Sequence, residues 1–209
     1  MPSQIEANLP PTNEGYGTHE YWEQRYTAES DGTTFDWFLS PSYLLPLFEE
    51  ITADISTGKD ARILMLGCGN SGLSEELYDA GWTNIVNLDY SKTVIEQMKQ
   101  RHASRDHMTW QEMDVLDLKF DEGEFDLVVD KGDPWNPPEK DIKTCTQEVS
   151  EALRVLRKRK GSKFVYFTFG QPHFRKRYMQ NRPGFKLAHK EIGPPEGFAY
   201  FMYVLEYSN

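Results

Sequence analysis

The sequence of 209 residues lacks the features that mark secreted, membrane or metal-binding proteins. It has two cysteines, Cys68 and Cys145, which are too few for a disulfide framework or a cysteine-based zinc site. No apolar run approaches the roughly 20 residues of a membrane span, and the first twenty residues do not have the basic and apolar regions of a secretory signal. We therefore expect a cytoplasmic protein that has reduced thiols and binds neither a membrane nor a metal.

Positive charge is also scarce. The formal net charge is −10 and the pI is about 5.0, which disfavours direct binding to nucleic acid phosphates. A hydrophobic content of 38% with 13% aromatic residues is more than a disordered chain carries. We expect residues 1–15 to form a flexible arm and residues 16–209 to form a single domain.

Short apolar runs alternate with helical patterns along the chain. The runs predict strands at 61–66, 84–89, 109–113, 125–130 and 164–169. Two further strands, 185–192 and 198–207, flank a Pro- and Gly-containing turn and predict an antiparallel hairpin. Strands that alternate with helices form parallel βαβ units, so the prediction is an α/β, Rossmann-like sheet of seven strands with helices on both faces.

A glycine cluster follows the first predicted strand. Gly67, Gly69 and Gly72 satisfy the G-x-G-x-x-G pattern between that strand and the next helix, which is the context of nucleotide-binding turns. Glycines let the backbone turn tightly and lie against a ligand. The alternative is a tight strand-to-helix turn without a ligand.

Two aspartates follow the next strands. Asp89 ends the second strand, where a carboxylate accepts hydrogen bonds from ribose hydroxyls; alternatively it caps the helix after Ser91. Asp114 follows the third strand, where a side chain can bind an adenine amino group; alternatively it is an ordinary loop residue. These positions indicate an adenosine site without distinguishing NAD from S-adenosylmethionine.

Two features favour S-adenosylmethionine. The hairpin after the fifth parallel strand suits a methyltransferase sheet, and the chain shows no second domain for a dehydrogenase substrate. An aromatic cluster precedes the first strand and can cover a cationic sulfonium; it comprises Tyr21, Trp22, Tyr26 and Trp37. The alternative is that these aromatic residues belong to the core.

Several separated motifs resemble one family. YWEQRY, FDWF, ILMLGCGNSGLSEELYDAGW, NLDYS, MDVLDL and FDLVVDKG resemble the eukaryotic lysine methyltransferases of translation elongation factor 1A, of type 4 and of the N-terminal half of the methyltransferase-like 13 type. The resemblance extends from about Tyr16 to Phe174. It implies a class I methyltransferase that uses S-adenosylmethionine, with a protein substrate that is elongation factor 1A.

The resemblance also implies cofactor contacts. They are expected at Trp22, Tyr26, Trp37, Gly67, Asp89, Tyr90, Asp114, Val115 and Lys131, and the glycine pattern adds Gly69. Because a lysine ammonium repels a sulfonium, we expect the backbone of Lys131, and not its ammonium, to contact the cofactor.

The sequence departs from the family pattern after Gly132, which is followed at once by Asp133-Pro134-Trp135. The family continues there into a Thr-Leu-Asp-Ala stretch, so either this member has a true deletion or the sequence omits a loop. No catalytic residue is assigned; the candidates are Asp130, Asp133 and Trp135. We hypothesise that a carboxylate at Asp130 or Asp133 orients the substrate amine.

An aromatic channel would lower the pKa of that amine by disfavouring its charged form. We hypothesise that the channel comprises Tyr21, Trp37, Trp135 and Phe169. His173, Arg175, Lys176 and Arg177 then form either a substrate-docking loop or a solvated turn. A small-molecule methyltransferase and a noncatalytic adenosine-binding protein are the alternative functions.

Overall fold

The computed structural model describes residues 10, 12–29, 32–132 and 138–208. Within them a single sheet has seven strands, in the order β3-β2-β1-β4-β5-β7-β6. The strands are β1 (Ile63–Leu66), β2 (Ile85–Asp89), β3 (Met108–Glu112), β4 (Leu127–Lys131), β5 (Lys163–Thr168), β6 (Phe185–Ile192) and β7 (Tyr200–Tyr207). The predicted fold class is confirmed.

Six α-helices connect or precede the strands in the described part of the chain. They are α1 (His19–Ala28), α2 (Pro41–Thr52), α3 (Leu73–Asp79), α4 (Lys92–Arg101), α5 (Pro138–Val155) and α6 (Pro172–Met179). A short 3-10 helix covers Asn13–Gly17, so regular structure begins within the predicted arm. No helix in the described residues has the length and apolar character that a membrane span requires.

Each face of the sheet carries its own core. Alternate residues of β1 point to opposite faces: Ile63 and Met65 join the core that includes α2 and α4, whereas Leu64 and Leu66 join the core that includes α5. All four residues are buried. This explains why β1 is a continuous apolar run rather than an alternating one, since a parallel strand is covered on both faces.

The strand order sets the position of a ligand site. The chain moves outward from β1 to β3 and then returns to place β4 on the other side of β1. In open α/β sheets, ligands bind beyond the carboxyl ends of the strands where the order reverses. Here that switch point lies between β1 and β4.

The C-terminal strands form the predicted hairpin. β7 pairs antiparallel with both β5 and β6, so β6 is the edge strand. The loop between β6 and β7 therefore lies at the carboxyl edge of β5, because Thr168 pairs with Phe201 and Ile192 pairs with Tyr200.

One sequence expectation is corrected here. The segment with His173, Arg175, Lys176 and Arg177 was expected to be a loop or a turn, but it forms helix α6. Gln171 precedes the helix without a side-chain capping bond, and the apolar periodicity of this segment is weak. Pro172 at the first turn was the available signal, because proline is favoured there.

Candidate active site

A cavity of about 510 Å³ opens at the switch point. Four strand ends supply its wall: the glycine loop after β1, Asp89 and Tyr90 after β2, residues 114–116 after β3, and residues 130–132 at the end of β4. The N-terminal aromatic segment covers it. A volume of this size is typical of a small-molecule or cofactor site.

The glycine loop turns tightly beneath this cavity. Gly67 and Gly69 have φ values of +53° and +51°, a left-handed conformation that costs other residues roughly 1–2 kcal/mol. A Cβ atom at Gly67 would meet nothing within 4 Å, whereas one at Gly69 would lie 2.7 Å from the Tyr26 hydroxyl. Gly69 is thus needed for close packing and Gly67 for the turn itself.

Asp89 fixes the loop from below. One of its carboxylate oxygens accepts from the Gly69 amide at 3.0 Å, and the other accepts from the Ser91 amide at 2.9 Å. Burial raises the pKa of Asp89, and these backbone hydrogen bonds oppose that rise. A carboxylate has about four lone-pair positions, which is more than the backbone hydrogen bonds to Asp89 use, so acceptor capacity remains for a ligand. The helix-capping alternative and the ligand-binding interpretation are therefore compatible.

The N-terminal aromatic residues form one connected cluster over the cavity. Trp22 stacks on Tyr26 with ring centroids 5.8 Å apart, and it contacts Trp37 edge-on at 6.1 Å. The indole N–H of Trp22 donates to the Tyr16 carbonyl at 2.7 Å. Tyr26 is buried, and burial raises the pKa of its hydroxyl well above the ordinary value. Trp22, Tyr26 and Trp37 all line the cavity.

Glu23 attaches helix α1 to the start of α4. Its carboxylate accepts from the Ser91 hydroxyl at 2.6 Å and from the Thr93 amide at 3.3 Å, and the Thr93 hydroxyl also donates to it. Burial raises the pKa of Glu23, but the hydrogen bonds from Ser91 and Thr93 together lower it by more. The pKa of Glu23 is therefore below its ordinary value. The aromatic cover is therefore anchored next to Asp89.

Asp36 connects three parts of the site. Its carboxylate forms an ion pair with the Lys131 ammonium at 2.9 Å, accepts from the Ser71 hydroxyl, and accepts from the Gly72 amide at 3.3 Å. The Trp37 carbonyl accepts from the same ammonium at 3.1 Å. Burial lowers the pKa of Lys131, and Asp36 opposes that shift. The ammonium of Lys131 is thus bound to the aromatic segment.

Tyr90 and the loop after β3 form the opposite wall. The Tyr90 ring lies 5.0 Å from the His19 ring, and the Tyr90 carbonyl is 3.0 Å from His19 Nε2. Asp114 accepts from the Leu116 amide at 2.9 Å and is otherwise exposed. Asp114 and Val115, which is partly buried, both line the cavity.

Two carboxyl groups meet at the far end of the cavity. Asp130 at the end of β4 is hydrogen-bonded to Glu148 of α5, and both residues line the cavity. Burial raises the pKa of Asp130 well above its ordinary value, and the Glu148 carboxylate raises it further. Burial also raises the pKa of Glu148. The pair therefore retains a shared proton at pH values where isolated carboxyl groups are ionised.

The comparisons with known proteins agree with this geometry. A family model described as a methyltransferase domain matches residues 63–156. The EEF1A lysine methyltransferase 4 of Bos taurus is 35% identical over 98% of this chain and 81% of its own length, and that of Mus musculus is 36% identical over 94% and 78%. The chain belongs to the EEF1A lysine methyltransferase 4 family. It is therefore a methyltransferase, and its methyl donor is S-adenosylmethionine.

Solved structures show the same fold. An N-methyltransferase from Bradyrhizobium japonicum in complex with S-adenosylhomocysteine superimposes with a TM-score of 0.66, at 15% identity over 90% of this chain and 97% of that one. A magnesium protoporphyrin IX methyltransferase from Synechocystis with bound S-adenosylmethionine gives 0.60, at 13% identity over 93% and 94%. The sheet of this protein is thus shared by methyltransferases of low sequence identity.

The structure brings together all ten residues that were expected to contact the cofactor, and the catalytic candidate Asp130, around this one cavity. Asp133 and Trp135 lie outside the described residues. Two members of the hypothesised channel do not line the cavity: Tyr21 packs edge-on against Trp22, and Phe169 packs edge-on against Phe38.

Other residues of the site were not expected from the sequence, among them Tyr16, His19, Asp36 and Glu148. Asp36 was visible inside the FDWF motif, but its partners are distant in the chain. No group of three His, Cys, Asp or Glu side chains in the described part of the chain is arranged to hold a metal ion.

Proposed function

We propose that this methyltransferase modifies a lysine side chain of translation elongation factor 1A and that it works in the cytoplasm with that substrate. The observation that carries the proposal is the 35% identity over 98% of the chain to a relative named for that reaction. The cavity supports it through its acidic and aromatic lining, which suits a sulfonium donor and an amine acceptor.

The residues of the cavity fit the cofactor. In the proposed complex, Asp114 and Val115 hold the adenine, and the Asp89 carboxylate accepts hydrogen bonds from the ribose. Tyr90 packs on the nucleoside, and Gly67, whose Cα faces open space, lets the cofactor approach the backbone. Bound there, S-adenosylmethionine supplies an electrophilic methyl group.

The charges of the lining favour this cofactor over a dinucleotide. Asp89, Asp114, Asp130 and Glu148 all line the cavity, and the ammonium of Lys131 is paired with Asp36. An acidic lining attracts a sulfonium and an ammonium, and it repels the pyrophosphate of NAD. Trp22 and Trp37 add aromatic faces, which attract cations.

Methyl transfer to lysine requires a neutral amine in line with the methyl group. The amine lone pair forms the new N–C bond while the S–C bond breaks, its electron pair stays on sulfur, and the product ammonium releases a proton to solvent. Holding the reacting atoms in line supplies much of the acceleration. In this proposal the Asp130 and Glu148 pair accepts a hydrogen bond from the incoming amine and orients it, and the aromatic cover excludes water.

The test is incubation of the purified protein with labelled S-adenosylmethionine and purified elongation factor 1A, followed by mass spectrometry of its lysines. We expect methyl groups on lysine from the wild-type protein. The Asp89→Asn variant should bind the cofactor at least about tenfold more weakly, because an amide nitrogen cannot accept the hydrogen bond of a buried amide or a ribose hydroxyl. Labelled small molecules without labelled protein would instead support a small-molecule methyltransferase.

A further inference from the structure

The large hydrophobic side chains that are exposed in the described part of the chain lie at one edge of the sheet. Among the described residues the exposed large hydrophobic side chains are Tyr43, Ile142, Phe174 and Phe198. Single exposed apolar residues are ordinary on a protein surface. All four of these, however, lie at the carboxyl edge of the sheet: at the start of α2, near the start of α5, at the start of α6 and in the loop between β6 and β7.

The loop between β6 and β7 presents the most exposed of them. Phe198 has 83% of its surface accessible, although burying a phenylalanine in an apolar environment is worth roughly 1.5–3 kcal/mol. The base of the loop is fixed, because the Tyr43 hydroxyl accepts from the Gly193 amide at 2.8 Å and donates to the Gly193 carbonyl at 3.2 Å. The loop thus holds an apolar ring outward from a fixed base.

Helix α6 adds positive charge at the same edge of the sheet. Phe174 is 53% exposed, and His173 and Arg177 are also exposed, one helical turn apart. Lys176 and Arg177 lie in the last turn. In a chain with a net charge of −10, this edge therefore combines aromatic rings with local positive charge. We call Tyr43, Phe174, Phe198 and Arg177 the rim.

Aromatic contacts link the cavity to the start of β7, beside the loop that carries Phe198. Trp37 lines the cavity and packs against Phe38, with ring centroids 5.9 Å apart. Phe38 in turn packs against Tyr200 at 5.8 Å, and Tyr200 begins β7 directly after the loop. A protein whose lysine enters the cavity would therefore extend over the rim.

We infer that the rim docks the folded surface of the protein substrate beside the target lysine, and that this surface offers an apolar patch with a neighbouring carboxylate. This inference rests on the proposed function. Exposed aromatic and arginine side chains are the types that contribute most to protein interfaces. The carboxylate follows from charge complementarity with Arg177 and Lys176, which sets the orientation of the docked protein.

The test compares a Phe174→Ala/Phe198→Ala double variant and Arg177→Glu with the wild-type protein. Lys160→Glu is the matched charge control, since Lys160 is exposed in the turn before β5, at the amino edge of the sheet. The readouts are kcat/KM on folded elongation factor 1A, kcat/KM on a short lysine peptide, and cofactor Kd by calorimetry. We expect kcat/KM on the folded protein to fall roughly tenfold or more for the rim variants, with peptide kcat/KM, cofactor Kd and the control unchanged within about twofold.

Equal rates on the folded protein would overturn the inference, and so would equal losses on protein and peptide, because the rim would then act inside the cavity. If the wild-type protein does not label elongation factor 1A but labels another protein in a cell extract, the proposed substrate is wrong and the variants are compared on that protein. Label in small molecules only would overturn both proposals.

Discussion

Replacing Asp36 by asparagine should weaken the link between the aromatic cover and the glycine loop. The Lys131 side chain is 7% exposed and its Asp36 partner 18%, so the variant leaves a buried ammonium without its counterion. Removing one partner of a buried ion pair costs about 3–5 kcal/mol. Because the Trp37 carbonyl still accepts from this ammonium at 3.1 Å, we expect the lower end, about 3 kcal/mol.

The assay is urea denaturation followed by circular dichroism, with Lys131→Met and the double variant completing a mutant cycle. If the pair is the cause, the double variant should lose less stability than the sum of the single variants, with an interaction energy of about 1–3 kcal/mol. Glu50→Gln is the matched control, because it breaks an ion pair at the surface: the side chain of Glu50 is 59% exposed and that of its partner Lys190 is 51% exposed. It should cost less than about 1 kcal/mol. If Asp36→Asn loses no more stability than this control variant, the reasoning is refuted.

Two further predictions concern the loop and the carboxyl pair. In the unliganded protein, Gly67→Ala should lower the free energy of unfolding by roughly 1–2 kcal/mol, because alanine is strained in a left-handed backbone. Gly69→Ala should lower it by more, because buried Tyr26 must also move. Equal losses of stability for the two variants in urea denaturation would contradict this. The folded protein keeps a proton on Asp130 that the unfolded chain loses above about pH 4. The contribution of this group to the free energy of unfolding of the wild-type protein therefore falls as the pH rises toward the raised pKa. In Glu148→Gln the free energy of unfolding should fall less steeply with pH, and curves of equal slope for the two proteins would count against the shared proton.

The sheet was predictable because its strands are short apolar runs bounded by turn residues. The segment ILML predicts a strand because it is apolar throughout and is followed by Gly67. In the structure both faces of this strand, β1, are covered. The hairpin was visible for a similar reason. The helix α6 was not, because its segment is mostly polar and Gln171 supplies no capping bond.

The site was predictable where one residue follows one strand. Asp89 and Asp114 each follow a parallel strand, and parallel strands end at one edge, so their convergence follows from topology. The partner of Lys131 was not predictable: Asp36 lies 95 residues earlier in the chain. Likewise, nothing in the local sequence pairs Asp130 with Glu148, because that contact depends on how α5 packs against the sheet.

The most direct test of this account is a crystal structure of the protein with S-adenosylhomocysteine. We predict the ribose hydroxyls on the Asp89 carboxylate, the adenine beside Asp114 and Val115, and the sulfur between Trp37 and the Asp130 and Glu148 pair. A ligand bound outside this cavity, or a ribose that does not contact Asp89, would contradict the assignment of the site.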